Sequence, residues 1–276
     1  MLVRDYALDA VIVGSDQVWR LEYTKGITFD YFLDFLNGAA VKKISYAASF
    51  GVDQWTHPQE TSVAVAALLQ KMDAISVRED SGVAICKEVF QVDSVQMIDP
   101  TLLLQKEHYL QLLQSENAPA PKGGLAVYVL DANAAKTAIV HQIAQYKGLK
   151  PYALHVKEKF NMGKILRIRD CIYPKVGDWL SGFAHAQFVV TDSFHGVAFA
   201  LLFQKPFIAI CNADRGLARL QSLLKIFHLT DRLIFSVADL NDALLNKVID
   251  FQAVQAIKNQ KKQEASQFIN HHLTFL

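Results

Sequence analysis

The feature that most constrains the fold of this chain is a regular alternation of short apolar runs and segments with helical periodicity. Apolar runs at 9–13, 43–47, 74–77 and 94–98 are separated by segments such as 57–72, whose apolar residues recur at helical spacing. Strands that alternate with crossover helices form mainly parallel sheets with helices packed on their faces. The alternation therefore predicts an α/β protein.

The pattern starts again after a polar stretch at 114–124 that is rich in proline and glycine, a composition typical of linkers. Apolar runs then follow at 125–130, 151–156, 187–191, 206–211 and 232–235. The 276 residues are about twice the size of a common domain. We therefore predict two domains, residues 1–117 and 118–276, and a ligand site in a cleft.

Composition excludes several classes of protein. With 28 Lys+Arg against 27 Asp+Glu, the net charge of +1 provides no field that would hold a nucleic acid. Cys86, Cys171 and Cys211 lie far apart, which argues against a metal or redox site and favours a reducing compartment. No apolar run approaches the ~20 residues needed to span a bilayer. We expect a cytoplasmic protein without a membrane span; peripheral membrane contact is left open.

The strongest candidate for chemistry is the sequence TDSFHG at 191–196, which directly follows an apolar run and directly precedes a helical one. A helix beginning near His195 and capped by Asp192 or Ser193 would offer its N–H groups and positive dipole end to an anion. Gly196 would permit close approach, and His195 would act as an acid or base beside the anion. The alternative is that the polar pair only caps the helix and His195 packs in a turn.

A second candidate follows the first apolar run, where Gly14 allows a sharp turn. Ser15, Asp16 and Gln17 would project into the cleft, and Trp19 could stack on a sugar ring. The alternative is an Asp cap followed by a tryptophan of the core.

Basic residues provide a third set. Arg78 ends the third apolar run, where a guanidinium can bind a carboxylate or phosphate through two hydrogen bonds. A salt bridge to a neighbouring acidic residue is the alternative. Lys205, Arg215 and Arg219 follow the histidine segment and could bind an anion or simply lie at the surface.

In combination, these segments resemble the polysaccharide pyruvyl transferase family. The matching pieces, in order, are DAVIVGSDQVW, ISYAASFG, ISVRED, DPTLLL, TDSFHGVAFALLFQKPF and RGLARLQSLL. The resemblance implies two Rossmann-like domains in a GT-B-like arrangement, and transfer of pyruvate from phosphoenolpyruvate to a sugar as a cyclic ketal. The implied acceptors are exopolysaccharides, cell-wall polymers or their lipid-linked precursors. Phosphoenolpyruvate is the co-substrate, and neither a further cofactor nor a metal is expected.

The resemblance places His195 at the position of the active-site histidine and Arg78 at that of a donor-binding arginine. We assign Asp16, from its position after a strand, as the base for the sugar hydroxyl. The further residues expected to bind the donor are Asp192, Ser193, Phe194, Gly196, Lys205, Arg215 and Arg219. Those expected to bind the acceptor are Ser15, Gln17 and Trp19.

This chain departs from the family pattern in two ways. Several relatives carry an arginine two positions before the histidine, where this chain has Ser193. Lys205, Arg215 or Arg219 would then have to supply the missing charge, or the donor differs. Family members also carry further β–α units before the strand at 9–13, so we expect the first domain to lack its first units.

Two other functions stay open. One is a GT-B glycosyltransferase or nucleotide-sugar epimerase, which would need carboxylates for a ribose and an aromatic side chain for a base. The other is a truncated, non-catalytic carbohydrate-binding protein that retains Trp19 and the cleft. Fold alone does not choose among these functions.

Overall fold

The computed structural model describes residues 2–116, 119–121, 124–156 and 171–274. The chain divides into two compact units. Unit 1 comprises Met1–Leu103, Arg215–Ile226 and Ala256–Leu276; unit 2 comprises Leu104–Asp214 and Phe227–Gln255. Residues 117 and 118, on either side of the predicted domain boundary, lie outside the described residues. Two segments predicted with the second domain, 215–226 and 256–276, belong to unit 1.

Unit 1 contains a parallel sheet of four strands in the order β1-β2-β3-β4. The strands are β1 (Ala10–Val13), β2 (Lys42–Ala48), β3 (Ala74–Val77) and β4 (Val95–Gln96). The α-helices described before residue 103 are α1 (Leu2–Asp5), α2 (Gln59–Leu69) and α3 (Asp80–Glu88). All of β3 is buried, as expected for a strand covered on both faces.

The core of unit 1 includes Trp19, which corrects the prediction that this residue stacks on a sugar. Its side chain is 0% exposed. The indole stacks on Phe32 with ring centroids 5.2 Å apart, and its Nε1 donates a hydrogen bond to the Tyr31 carbonyl at 2.8 Å. A buried indole whose N–H already has a partner belongs to the core.

Unit 2 contains a parallel sheet of five strands in the order β6-β5-β7-β8-β9. Its first elements are α4 (Lys106–Glu116), β5 (Leu125–Tyr128), α5 (Ala134–Lys147), β6 (Pro151–Ala153), α6 (Val176–Ala184), β7 (Phe188–Thr191), α7 (Phe194–Leu202) and β8 (Phe207–Ile210). The chain continues with α8 (Leu217–Ile226), β9 (Leu233–Ile234), α9 (Asp242–Asn246) and α10 (Phe251–Leu273). The direction of strand addition reverses between β5 and β7, and ligands of such sheets bind beyond the strands' carboxyl ends at that point.

The predicted fold class is confirmed: each unit has a parallel sheet with helices, and each predicted strand is present. Most strands are shorter than predicted, whereas β2 is longer and β3 has the predicted bounds. The apolar residues of 240–259 recur at helical spacing, which predicts one helix, but the structure has two helices there, so this prediction is wrong. The chain leaves helical geometry at Lys247, and the Asp250 carboxylate then accepts hydrogen bonds from the backbone N–H groups of Gln252 and Ala253. A carboxylate in this position caps a new helix, α10. No described helix is both long and apolar enough to cross a membrane.

Helix α8 packs in unit 1 through a close backbone contact. Gly216, just before the helix, has φ +85°, and a Cβ on it would lie 2.4 Å from the Gly51 carbonyl oxygen. Further along, Ser222 Oγ accepts a hydrogen bond from the Asp80 N–H at 3.0 Å. Lys225 forms a salt bridge with the Asp80 carboxylate at 2.8 Å. These contacts fix α8 beside the start of α3.

Substitution of Gly216 tests this contact. Gly26 has φ +84°, with nothing within 4 Å of a Cβ, so Gly26→Ala is a matched control for backbone strain alone. We expect Gly216→Ala to lower the free energy of unfolding by about 1–3 kcal/mol more than Gly26→Ala does, because it also overpacks the helix against Gly51. Urea unfolding of both variants measures the difference, and equal losses would contradict the close contact.

Candidate functional site

A buried arginine lies at the carboxyl end of the unit 1 sheet. Arg78, which directly follows β3, donates from Nη1 to Asp99 Oδ2 at 2.7 Å and from Nη2 to Asp16 Oδ1 at 3.0 Å. The Arg78 and Asp99 side chains are each 1% exposed, whereas the Asp16 side chain is 64% exposed. A buried charge needs a partner of good geometry. Asp99 provides it inside the unit, and Asp16 provides a second at the surface.

Arg219 of α8 reaches the same carboxylate. Its Nη1 lies 3.6 Å from Asp16 Oδ1, and its side chain is 8% exposed. Its Nη2 donates to the Arg215 carbonyl oxygen. Burial lowers the pKa of Arg219 to about 10, with a further lowering by Arg78. Arg219, one of the three basic residues considered as replacements for the arginine absent at Ser193, therefore shares a partner with Arg78.

The other two basic residues lie in different units. Arg215 is in unit 1, and the contact described for it uses its backbone carbonyl. Lys205 lies between α7 and β8 in unit 2. Because β7 and β8 are parallel, the segment before β8 lies at the edge of the sheet opposite His195. This position corrects the prediction that Lys205 binds the same ligand as His195.

Two acidic residues complete the unit 1 cluster. Asp99 also accepts from Ser15 Oγ at 3.0 Å and from the Thr101 N–H at 3.0 Å. Glu79 is buried, and its Oε1 accepts hydrogen bonds from Ser49 Oγ and from the backbone N–H groups of residues 50 and 51. Burial raises the pKa of Glu79, whereas Arg78, the Gly51 N–H and Ser49 lower it. The sequence pattern does not single out these two acids, although their positions just after β4 and β3 are a usable signal.

The loop after β1 is mostly engaged within unit 1. Ser15 donates to Asp99, and Gln17 Oε1 accepts from Arg20 Nη1 at 3.1 Å. Both side chains are half-buried, whereas Asp16 is exposed. Asp16 is thus the predicted residue of this loop that presents a charged group to solvent.

In unit 2, His195 lies in the first turn of α7, beyond the carboxyl end of β7 where the strand order reverses. It is the one residue of 191–200 that is not buried. It lines a cavity of about 370 Å³. The aromatic residues around that cavity are Tyr128, His155, Tyr173, Trp179, His195 and Phe199. Of the described residues lining it, none is a lysine or arginine.

The neighbours of His195 build the turn that carries it. The buried Asp192 carboxylate accepts from the N–H groups of Leu130 and Asp131, from Lys136 Nζ at 2.6 Å and from Asn212 Nδ2 at 2.9 Å. These four donors bind the β5 loop, α5 and the end of β8 to one carboxylate. The structure thus corrects the prediction that Asp192 binds a donor molecule.

Three further predicted residues lie in this turn, Ser193, Phe194 and Gly196. Ser193 is the N-cap residue of α7, but its side chain makes no capping hydrogen bond. Phe194 is buried. A Cβ on Gly196 would lie 2.0 Å from Thr191 Oγ1, so the glycine admits the strand side chain rather than a ligand. The donor contacts of Ser193, Phe194 and Gly196 stay predictions. No cluster of three His, Cys, Asp or Glu side chains able to hold a metal occurs among the described residues.

Comparison with known proteins gives one family. A sequence model of the polysaccharide pyruvyl transferase family matches residues 2–214. No curated protein shows significant sequence similarity to this chain. Among solved structures, a glycosyltransferase from Rickettsia africae ESF-5 is similar with 10% sequence identity and a TM-score of 0.48, over 100% of this chain and 79% of that chain.

The structural role of Asp192 leads to a prediction. The side chains of Lys136 and Asp192 are 10% and 0% exposed, so Asp192→Ala leaves a buried ammonium group without its anion. We expect a loss of about 3–5 kcal/mol in the free energy of unfolding. The double variant Asp192→Ala with Lys136→Met should recover part of that loss because the unpaired charge is gone. Chemical denaturation of both variants measures this, and no recovery would contradict the ion pair.

Proposed function

Because the chain belongs to the polysaccharide pyruvyl transferase family, we propose that it transfers pyruvate from phosphoenolpyruvate to two hydroxyls of one saccharide, forming a cyclic ketal. The proposed acceptors are sugars of cell-surface polysaccharides or exopolysaccharides, or their lipid-linked precursors, and the proposed compartment is the cytoplasm. Phosphoenolpyruvate is the co-substrate, and no further cofactor is required.

Ketal formation sets the chemical requirements. The first sugar oxygen bonds to C2 of the enol, its proton goes to a base, and C3 becomes a methyl group by accepting a proton from an acid. The C2–O bond to phosphate then breaks, the second sugar oxygen bonds to C2, and the proton of that hydroxyl goes to the departing phosphate. The reaction therefore needs one acid, one base and cations that bind the carboxylate and phosphate of the donor.

The observation that carries the proposal is the position of His195. The family resemblance implies an active-site histidine here, and the side chain is half-buried at the point where the strand order of unit 2 reverses. An imidazole can deliver and accept protons near neutral pH. We assign proton donation to C3 to His195.

Donor binding is assigned to Arg78, whose guanidinium is held by the buried Asp99 carboxylate at 2.7 Å. A guanidinium with a fixed orientation suits a carboxylate or phosphate, because it can donate two parallel hydrogen bonds. Asp16, the exposed carboxylate of the same cluster, is assigned as the base for the sugar hydroxyl.

The acceptor is assigned to the cavity at His195. Aromatic side chains bind the C–H faces of sugar rings, and Tyr173, Trp179 and Tyr128 all line the cavity. This assignment replaces the predicted acceptor contacts of Ser15, Gln17 and Trp19, whose side chains have partners within unit 1.

Titration calorimetry with phosphoenolpyruvate, followed by phosphate release with candidate saccharides, tests the proposal. Arg78→Ala should cost about 1.5–3 kcal/mol of donor affinity, the contribution of a charge-assisted hydrogen bond. His195→Ala should retain donor binding and lower turnover by about 10²–10⁴-fold. His141→Ala, which removes an exposed histidine of α5 in the same unit, is the matched control.

The proposal would be overturned if Arg78→Ala left the affinity for phosphoenolpyruvate unchanged, or if His195→Ala left the turnover unchanged. Tighter binding of a nucleotide sugar than of phosphoenolpyruvate would indicate a glycosyltransferase or epimerase instead. Saccharide binding without phosphate release would indicate a carbohydrate-binding protein.

Acceptor binding has its own test. Tyr173 is 65% exposed, so Tyr173→Ala should leave stability almost unchanged. Loss of one stacking contact, worth about 0.5–1.5 kcal/mol, should raise the KM for the saccharide by about two- to tenfold and leave the KM for phosphoenolpyruvate unchanged. Tyr6→Ala, at a tyrosine exposed in unit 1, serves as the control. An equal change in both KM values would contradict the assignment of the acceptor to this cavity.

A further inference from the structure

The Asp16 carboxylate is exposed, yet the two cations that contact it are buried. Its Oδ1 lies 3.0 Å from Arg78 Nη2 and 3.6 Å from Arg219 Nη1. The exposed fractions of the side chains are 64% for Asp16, 1% for Arg78 and 8% for Arg219. Solvent therefore reaches the carboxylate much more than it reaches either guanidinium.

Both guanidiniums are positioned by groups other than Asp16. Arg78 is held by Asp99, which is itself fixed by Ser15 and Thr101. Arg219 is held by α8 and by its hydrogen bond to the Arg215 carbonyl oxygen. Removal of the Asp16 carboxylate would thus leave the two cations in place. A preorganised pair of cations loses little entropy when a ligand binds.

Electrostatics favours an anion at this position. Two like charges in a buried environment repel each other, and burial together with Arg78 lowers the pKa of Arg219. Asp16 Oδ1 lies at unequal distances from the two guanidiniums, 3.0 Å and 3.6 Å. A phosphate or carboxylate from solution offers two or more oxygens and can bind both guanidiniums with parallel hydrogen bonds.

The backbone at Asp16 is also fixed. Asp16 has φ +57°, and its carbonyl oxygen accepts a hydrogen bond from the Ser49 N–H at 2.9 Å. The loop can therefore stay in place while the Asp16 side chain changes rotamer.

We propose that Arg78 and Arg219 form an anion-binding pair that Asp16 occupies in the resting protein, and that a ligand phosphate or carboxylate binds by displacing the Asp16 side chain. Where the ligand is the enol phosphate of the proposed function, this inference rests on that function. Displacement then releases the Asp16 carboxylate from its cations when the donor arrives, so that it can accept the hydroxyl proton.

Titration of the protein with inorganic phosphate, at constant ionic strength, tests the pair without any assumption about the reaction. Asp16→Asn removes the competing anion and should tighten phosphate binding about two- to fivefold, the equivalent of one exposed ion pair. Glu22→Gln, which neutralises another exposed carboxylate paired with an arginine of unit 1, is the control for net charge. It should change phosphate affinity by less than about 1.5-fold.

Arg219→Ala should weaken phosphate binding about tenfold or more, because it removes a charge-assisted hydrogen bond. Lys225→Ala removes an exposed cation from the same helix and should have little effect. Arg219→Lys and Asp16→Ser provide second variants if the first do not fold, as judged by circular dichroism. Unchanged or weaker phosphate binding in the folded Asp16 variants, or equal effects of the Arg219 and Lys225 variants, would overturn the inference.

The same variants separate this inference from the proposed function. With phosphoenolpyruvate, Asp16→Asn should bind the donor more tightly and turn over more slowly, whereas a merely structural Asp16 would weaken binding and turnover together. If phosphate binding responds as expected but phosphoenolpyruvate is not turned over, the anion pair stands and the proposed function fails. If phosphoenolpyruvate is turned over but neither ligand responds to the Asp16 and Arg219 variants, this inference alone fails.

Discussion

The unit 1 site depends on a buried charge, the Arg78 guanidinium, that needs a partner of opposite charge at the carboxyl ends of the parallel strands. The Arg78 guanidinium is almost fully buried and would be strongly destabilising without Asp99 at 2.7 Å. That pairing fixes Ser15 and Thr101 through the same carboxylate. The loops after β1, β3 and β4 are thereby connected, and Asp16 is held where it bridges Arg78 and Arg219.

Unit 2 also has a buried ion pair at the end of a strand, but there the residue that follows the strand is an acid and not a base. There a buried carboxylate, Asp192, binds Lys136 and the loop after β5, and it follows β7 as Arg78 follows β3. In each unit the buried pair orders the strand ends, and a more exposed ionisable residue lies next to it. These residues are Asp16 and His195. The residues suited to chemistry are thus supported by ion pairs that are themselves shielded from water, which keeps their positions defined.

Much of the fold follows from local pattern. The alternation of apolar runs and helical segments located each strand, because strands buried on both faces must be apolar and short. Single side chains were harder to assign. Trp19 and Asp192 both follow strands, which suits a site residue, yet Trp19 stacks on Phe32 and Asp192 accepts four hydrogen bonds inside unit 2. Burial depends on neighbours that lie far away in sequence, so periodicity does not decide it.

By itself, the sequence determined the α/β class, the family, and the strand-end positions of Arg78 and His195, since each of these is written in short contiguous segments. Only the tertiary structure decided which charges meet. Arg219 is 203 residues away from Asp16 by their numbers, and it reaches that carboxylate because Gly216 lets α8 pack against the Gly51 backbone in unit 1. Such a contact depends on close packing between distant segments, which no local pattern encodes.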